Sequence, residues 1–338
     1  MIRYPYSKPE ITNADINAVN KVLKKGYLTQ GPVLEDFEKN ISIRFRSKYS
    51  IVCNSGTAAL HLVYNIMGVG PKKSILTSPI TFLATANAAK MCNARVYFAD
   101  VDQNTGILTP SSIEKALKNY KGCNIGVISV VHLGGQVCDM QGIKKVAKKY
   151  NCLTVEDACH APGVKTSDSF VGSCKYSDVS TFSFHAIKHI AMGEGGCITT
   201  NDKNLAEKAK ILRNHGMIKD KKKMLNLPEK NPPWYYEMHE LGWNYRADEI
   251  SCSLGLSQLK RLNKNLKKRR MLASKYFKYL SDIKNLSFTS LEKNINKHGW
   301  HLFSVLINFD KINITRGYFM QKLASFGIGS QVHYIPIF

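Results

Sequence analysis

Long apolar runs are missing from this chain. The longest uncharged apolar stretch, at 126–131, holds six residues, where a helix crossing a bilayer needs about 20. The opening MIRYPYSKPE lacks the apolar core of a secretory signal, so a cytoplasmic protein without membrane contact is expected. Paired cysteines are missing as well. The nine cysteines are scattered from Cys53 to Cys252 without a CxxC pair, an odd and unpatterned set that fits free thiols in a reducing compartment and excludes a zinc ribbon. There is no GxGxxG or Walker sequence for a dinucleotide or triphosphate, no HExxH for a metal, and no repeat. Acidic residues are scarce, with 25 Asp and Glu against 48 Lys and Arg, giving a net charge of +23.

That charge invites a nucleic-acid reading, but its densest runs, KDKKK at 219–223 and KNLKKRR at 264–270, read as a solvated loop and a solvated helix face. Neither belongs to a recognisable nucleic-acid motif, and no nucleic-acid partner is expected. The same positive field suits a small anionic substrate such as a nucleotide diphosphate.

With 44% hydrophobic residues over 338 positions, the chain can bury a large core. Short strand patterns at 50–53, 74–78, 94–99, 125–131, 152–156, 178–184 and 196–200 alternate with helical periodicity at 57–68, 84–92, 112–120 and 139–150. This is the alternation of a largely parallel sheet covered on both faces. A loop rich in Lys, Pro and Trp (219–237) follows, then one long helical stretch over 246–280. A strand at 301–307, a helix near 315–326 and the segment 329–335 form a smaller C-terminal unit.

Three features carry chemistry. In CNSGTAALHL (53–62), Ser55, Gly56 and Thr57 lie between a strand and a helix. Such a turn points backbone N–H groups at an anion, although Ser or Thr there also serves as a plain cap. In TVEDACHAPG (154–163), Glu156 and Asp157 end an apolar strand at the edge where ligands of open α/β sheets bind, and Asp157 calls for a positive partner there; a salt bridge or a cap is the bland alternative. In FSFHAIKHIAMGEGG (182–196), His185 and His189 stand four apart but have no third metal ligand, so no metal is expected. Lys188 is the better centre, because enclosure favours its neutral amine, which can form a Schiff base. Anion cradle, carboxylate and lysine follow the order that pyridoxal 5'-phosphate needs for its phosphate, its pyridine nitrogen and its aldehyde.

Nearly the whole chain resembles the DegT/DnrJ family of sugar-nucleotide aminotransferases. The matching segments include LTQGPVLEDFE (28–38), CNSGTAALHL, SPITFLATANA (78–88), GGQVCDM (134–140), VEDACHAPG (155–163), FSFHAIKHIAMGEGG, RNHG (213–216), LGWNYRADEISCSLGLSQL (241–259) and VHYIP (332–336). The resemblance implies an α/β fold of the fold-type I pyridoxal-phosphate-dependent transferases, with a mostly parallel central sheet sandwiched by helices. It further implies a large cofactor-binding domain at 1–245, including an N-terminal substrate segment, and a smaller α+β domain at 246–338, shorter than in relatives.

Lys188 is then the Schiff-base lysine and Asp157 the partner of the pyridinium nitrogen. Gly56, Thr57 and Ser183, beside Ser55, hold the phosphate. Phe82 lies over the cofactor ring and His160 near its phenolic oxygen, while Asn244 reaches the phosphate of a neighbouring subunit in a homodimer with shared sites. Tyr6, Thr29, His333 and Tyr334 fall to the sugar. The segments TQGP, SPITF, PWYYE (233–237) and VHYIP are most similar to members that move an amino group, with L-glutamate as donor, to the C4 ketone of a UDP-linked 4-keto-6-deoxy-N-acetylhexosamine in pseudaminic acid biosynthesis. Another keto-sugar nucleotide or another sugar carbon is the alternative, and a non-catalytic basic nucleic-acid-binding member is the rival of a different class. Dehydratases of the same fold carry histidine at the lysine position, whereas here Lys188 stands five residues before GEGG. The family's FSFHPVK is FSFHAIK in this chain, which loosens the turn without touching the lysine.

Overall fold

The computed structural model describes every residue except Met1, Leu227, Asn231, Leu291 and Phe338, together with the side chain of Glu292. Leu227 and Asn231, in the loop expected at 219–237, therefore lie outside the described residues. The chain begins with two helices, α1 (Asn13–Lys25) and α2 (Pro32–Phe45), followed by β1 (Tyr49–Cys53), α3 (Gly56–Ile66), β2 (Ser74–Thr77), α4 (Ala84–Met91) and β3 (Val96–Phe98). Next come α5 (Pro110–Asn119), β4 (Ile125–Val131), α6 (Met140–Lys149), β5 (Leu153–Asp157), β6 (Val179–Ser183), β7 (Gly196–Thr200) and α7 (Lys203–Arg213). The remainder comprises β8 (Met217–Ile218), β9 (Glu237–Met238), α8 (Glu249–Lys260), α9 (Leu262–Leu280), β10 (Leu286–Phe288), β11 (Val305–Ile307), α10 (Phe309–Ile312) and α11 (Arg316–Ser325).

Seven strands form one sheet in the order β1-β7-β6-β5-β4-β2-β3. The pairs from β6 through β5, β4 and β2 to β3 are parallel, while β7 runs antiparallel to both β6 and β1. All seven residues of β4 are buried, as expected of a parallel strand covered on both faces. The period-2 alternation sorts the core. Ile51, Ile75, Val127 and Val155 face a cluster built with α3, α4 and α7. On the opposite face Val52 and Phe182 pack with α2 and α8, and Leu76 and Ile128 with α5 and α6. Because β1, β5 and β6 point the same way, their C-terminal residues Cys53, Asp157 and Ser183 reach one edge of the sheet, where β7 begins at Gly196.

Three sequence expectations are corrected. The stretch 246–280 is two helices broken at Arg261, because Gln258 and Arg261 turn to the buried carboxylate of Asp15 and the carbonyl of Glu10 on the N-terminal arm. The strand expected over 301–307 shrinks to β11, because the preceding backbone is drawn to the turn that follows β4: the Gly299 N–H donates to the Gly135 carbonyl at 2.8 Å and the Leu302 N–H to the Gly134 carbonyl at 3.0 Å. The run at 264–270 is not wholly solvated, since Arg269 turns inward and donates to the carbonyls of Trp300 and His301 at 3.0 and 3.3 Å. No helix among the described residues is long and apolar enough to cross a membrane, and all nine cysteines are unpaired.

Helix α2 starts at Gly31, which offers no side-chain cap. The buried carboxylate of Glu249, from α8, takes that role by accepting the N–H groups of Val33 at 2.7 Å and Leu34 at 3.2 Å, where the helix dipole also favours an anion. A β-carbon at Gly31 would stand 2.8 Å from that carboxylate, so glycine is what permits the approach. Glu249→Ala strands two buried donors and should lower unfolding free energy by about 2–3 kcal/mol, and Glu249→Gln by about 1 kcal/mol. Urea unfolding midpoints check this; an alanine loss below about 0.5 kcal/mol would mean that water caps α2 equally well.

Candidate active site

The edge where β1, β5 and β6 end collects most of the expected site residues. Ser55 is the N-cap of α3, its hydroxyl accepting the Ala58 N–H at 3.0 Å. Gly56 and Thr57 open that helix, so their N–H groups face outward from its positive end. The turn is packed tightly from behind. A β-carbon on Gly56 would lie 2.8 Å from Cβ of Ser183, and one on Gly196 would lie 2.1 Å from the Ser55 carbonyl oxygen. Only glycine at both positions lets the turn, β6 and β7 meet. Ser183 also caps the loop that follows, its hydroxyl accepting the His185 N–H at 3.3 Å, and five residues after Ser183 stands Lys188.

Asp157 is buried at the end of β5. Its Oδ2 accepts the Thr85 hydroxyl at 2.8 Å, and its Oδ1 receives only a long 3.4 Å contact from the Cys159 N–H. A carboxylate has about four acceptor positions, so Oδ1 retains capacity for a further donor. Thr85 is itself within 2.9 Å of the Thr81 hydroxyl. Burial is the main cause that pushes Lys188 below the ordinary lysine range; the Asp157 carboxylate opposes it, and the Arg269 guanidinium adds to it. Lys188 Nζ lies 3.4 Å from Nε2 of His301.

Around this lysine stands a group of buried histidines. The Nδ1 of His160 accepts the Gly134 N–H at 3.1 Å, its Nε2 lies 3.4 Å from the Tyr334 hydroxyl, and its ring is 4.4 Å from that of His301. His189 donates from Nε2 to the Gly299 carbonyl at 2.7 Å. Tyr6 and His333 are joined at 2.9 Å with rings 5.2 Å apart, and the Phe82 ring, largely exposed, is 6.0 Å from that of Tyr334. The N-terminal arm and the VHYIP segment thus meet at the mouth of the same edge.

Two expected residues stand apart. Thr29 is exposed in the turn before α2, which is held by the Leu28 carbonyl accepting the Glu249 N–H. Asn244 is exposed too, but its backbone is close to the cradle: its carbonyl accepts the Asn54 side-chain N–H at 3.3 Å, one residue before Ser55. His185 faces Glu194 at 3.6 Å rather than His189, and among the described residues no three His, Cys, Asp or Glu are arranged to hold a metal. Sequence reasoning passed over Thr85, Arg269 and His301. Thr85 lies within SPITFLATANA, where a helical step from Thr81 marks it; Arg269 and His301 carry no local signal.

Burial pushes the pKa of His160, His189 and His301 well below the usual histidine value, and that of His298 down to about 3. These rings are neutral in the folded protein but take up protons in the unfolded chain below about pH 6.5. The unfolded state then binds more protons, so stability is full above pH 6.5 and falls as pH drops, by about 1.4 kcal/mol per histidine by about pH 5.5. Urea midpoints measured from pH 7.5 to 5 should decline steeply; a flat profile would show that the cluster is solvated.

Residues 9–338 match the profile of the DegT/DnrJ/EryC1/StrS aminotransferase family. The UDP-4-amino-4,6-dideoxy-N-acetyl-beta-L-altrosamine transaminase of Campylobacter jejuni is 39% identical over 335 residues, covering 98% of this chain and 84% of that protein. Helicobacter pylori PseC, an aminotransferase involved in the biosynthesis of pseudoaminic acid, superposes with a TM-score of 0.88 at 31% identity, over 99% of this chain and 85% of that one. The putative sugar aminotransferase Spr1654 of Streptococcus pneumoniae, in its PLP-form, superposes with a TM-score of 0.85 at 26% identity, over 98% of this chain and 85% of that one. The fold is thus shared along almost the whole length, and the chain belongs to the DegT/DnrJ/EryC1/StrS aminotransferase family.

Proposed function

We propose that the protein is a pyridoxal-phosphate-dependent sugar-nucleotide aminotransferase that moves an amino group from L-glutamate to the C4 ketone of a UDP-linked 4-keto-6-deoxy-N-acetylhexosamine. One observation carries the reading: Lys188, Asp157 and the Ser55–Gly56–Thr57 turn converge on a single sheet edge. The residues fit the cofactor. The turn offers free helix N-terminal N–H groups to a phosphate, Asp157 has acceptor capacity for a protonated ring nitrogen, and Lys188 is an amine held below its ordinary pKa. When bound, pyridoxal phosphate supplies the electron sink that makes a Cα proton acidic.

The chain's own groups do the rest. Lys188 Nζ would serve as the base that moves a proton between the donor's Cα and the C4′ carbon of the cofactor. The Asp157 carboxylate would pair with the protonated ring nitrogen, and Thr85 orients it through Oδ2. His160 would lie near the cofactor's phenolic oxygen and Phe82 over its ring. Tyr6, Thr29, His333 and Tyr334 belong to the sugar site, the Tyr6–His333 contact closing its mouth. Asn244 serves the phosphate of a partner subunit in a homodimer. The net charge of +23 suits a diphosphate substrate, and the unpaired thiols suit a cytoplasmic enzyme.

Incubation with the UDP-4-keto-6-deoxy-N-acetylhexosamine and glutamate, followed by mass spectrometry and NMR, should yield the 4-amino sugar. No amination of any such ketone would overturn the substrate assignment. Borohydride reduction of the holoenzyme and peptide mapping should find the pyridoxyl group on Lys188, and an adduct on another lysine would refute its role. Asp157→Asn should cut turnover at least about a hundredfold, on the order of 3 kcal/mol of barrier, with the cofactor still bound by absorbance. Near-normal turnover would reduce Asp157 to a structural acid.

A further inference from the structure

Lys188 has a hydrogen-bonding neighbour that the proposed function leaves unused. His301 is buried, with Nε2 at 3.4 Å from Lys188 Nζ. Its ring is held between those of His160, at 4.4 Å, and His189, at 5.6 Å. Its backbone is clamped as well: Arg269 on α9 donates to its carbonyl and to that of Trp300, and the next residue, Leu302, donates its N–H to Gly134. The imidazole therefore has little freedom to turn away from the lysine.

Nδ1 of His301 is buried with no partner among the described residues. A buried N–H without an acceptor is rarer and costlier than an unused lone pair, so the favoured tautomer carries its hydrogen on Nε2. The neighbouring His189 shows the same pattern, donating from Nε2 with an unpartnered Nδ1. An Nε2–H aimed at Lys188 requires a lone pair on Nζ, which the amine has and the ammonium lacks. We propose that His301 is a positioning residue for Lys188, a neutral imidazole that donates its Nε2–H to Nζ and holds it as an oriented free amine.

The other groups facing Lys188 set the balance. Asp157 at the end of β5 favours the ammonium. Arg269 from α9 disfavours it. Cys159 is kept a neutral thiol by burial, and burial likewise disfavours charge on His160, His189 and, less strongly, on His333 of the C-terminal segment. With one anion and one fixed cation nearby, a single donated hydrogen bond is enough to tip the lysine toward the amine that attacks an aldehyde or takes a proton.

The purpose of this device rests on the aminotransferase reading, but its test needs neither cofactor nor sugar. In the cofactor-free full-length protein, competitive acetylation with acetic anhydride across pH, read by mass spectrometry at the Lys188 peptide, gives the apparent pKa of that amine. His301→Leu should raise it by about one unit, about tenfold less amine at neutral pH, while His301→Gln, whose amide can donate, should stay near the parent value. An unchanged or lower pKa in a folded His301→Leu protein, or a glutamine variant that follows leucine, would overturn the proposal. Should the leucine variant not fold, nitrogen-15 shifts of labelled histidine in the unaltered protein decide it: an Nε2–H tautomer at His301 supports the role, and an Nδ1–H tautomer ends it. Failure of the sugar assay would leave these outcomes untouched.

Discussion

The approach of Gly196 to the Ser55 carbonyl is the constraint on which the site depends. A β-carbon at Gly196 would come within 2.1 Å of that oxygen, closer than any side chain allows. Glycine lets β7 slip antiparallel between β1 and β6 while its first residue pairs with the last residue of each, Cys53 and Ser183. Two stretches far apart in sequence are thereby welded at one point: the start of α3, and the end of β6 with the loop that carries Lys188 into β7. Asp157 joins them because β5 lies beside β6 in parallel register, with Asp157 opposite Thr181.

The electrostatic character of the site follows from what surrounds that point. Burial removes water from several histidines and keeps them neutral, so an edge crowded with nitrogen atoms does not become a cluster of charges. The Asp157 carboxylate and the Arg269 guanidinium flank a lysine whose ammonium is itself disfavoured by burial. Such a setting keeps an amine available for nucleophilic or basic work at neutral pH. Elsewhere the molecule uses carboxylates for cohesion: Glu249 caps α2 from another helix, and Asp15 gathers Gln258 and Arg261.

Much of the central sheet was legible because its strands are apolar and its helices periodic. The pattern at 196–200 matches β7 residue for residue, and that at 125–131 matches β4. The antiparallel insertion of β7 was not legible, since strand direction leaves no trace in an apolar run. Helices α1 and α2 drew no expectation: α1 buries Val22 as its one apolar residue, and α2, although it carries a stripe of Leu34, Phe37, Ile41 and Phe45, has no cap of its own and needs Glu249 to begin. The helix break at Arg261 and the inward turn of Arg269 depend on partners at Asp15, Glu10, Trp300 and His301. A run of basic residues reads as solvated until such partners are known.

The sequence by itself determined the α/β alternation, the chemistry-bearing turn, carboxylate and lysine, and the resemblance that orders them, because each is written in consecutive residues where period, turn chemistry and motif are local properties. Only the tertiary structure decided that Thr85 holds Asp157, that His301 faces Lys188 across 113 positions, and that Tyr6 meets His333 across 327. Those contacts are made by packing distant segments against one sheet edge, and burial, which keeps His160, His189 and His301 neutral, exists only once the edge is closed.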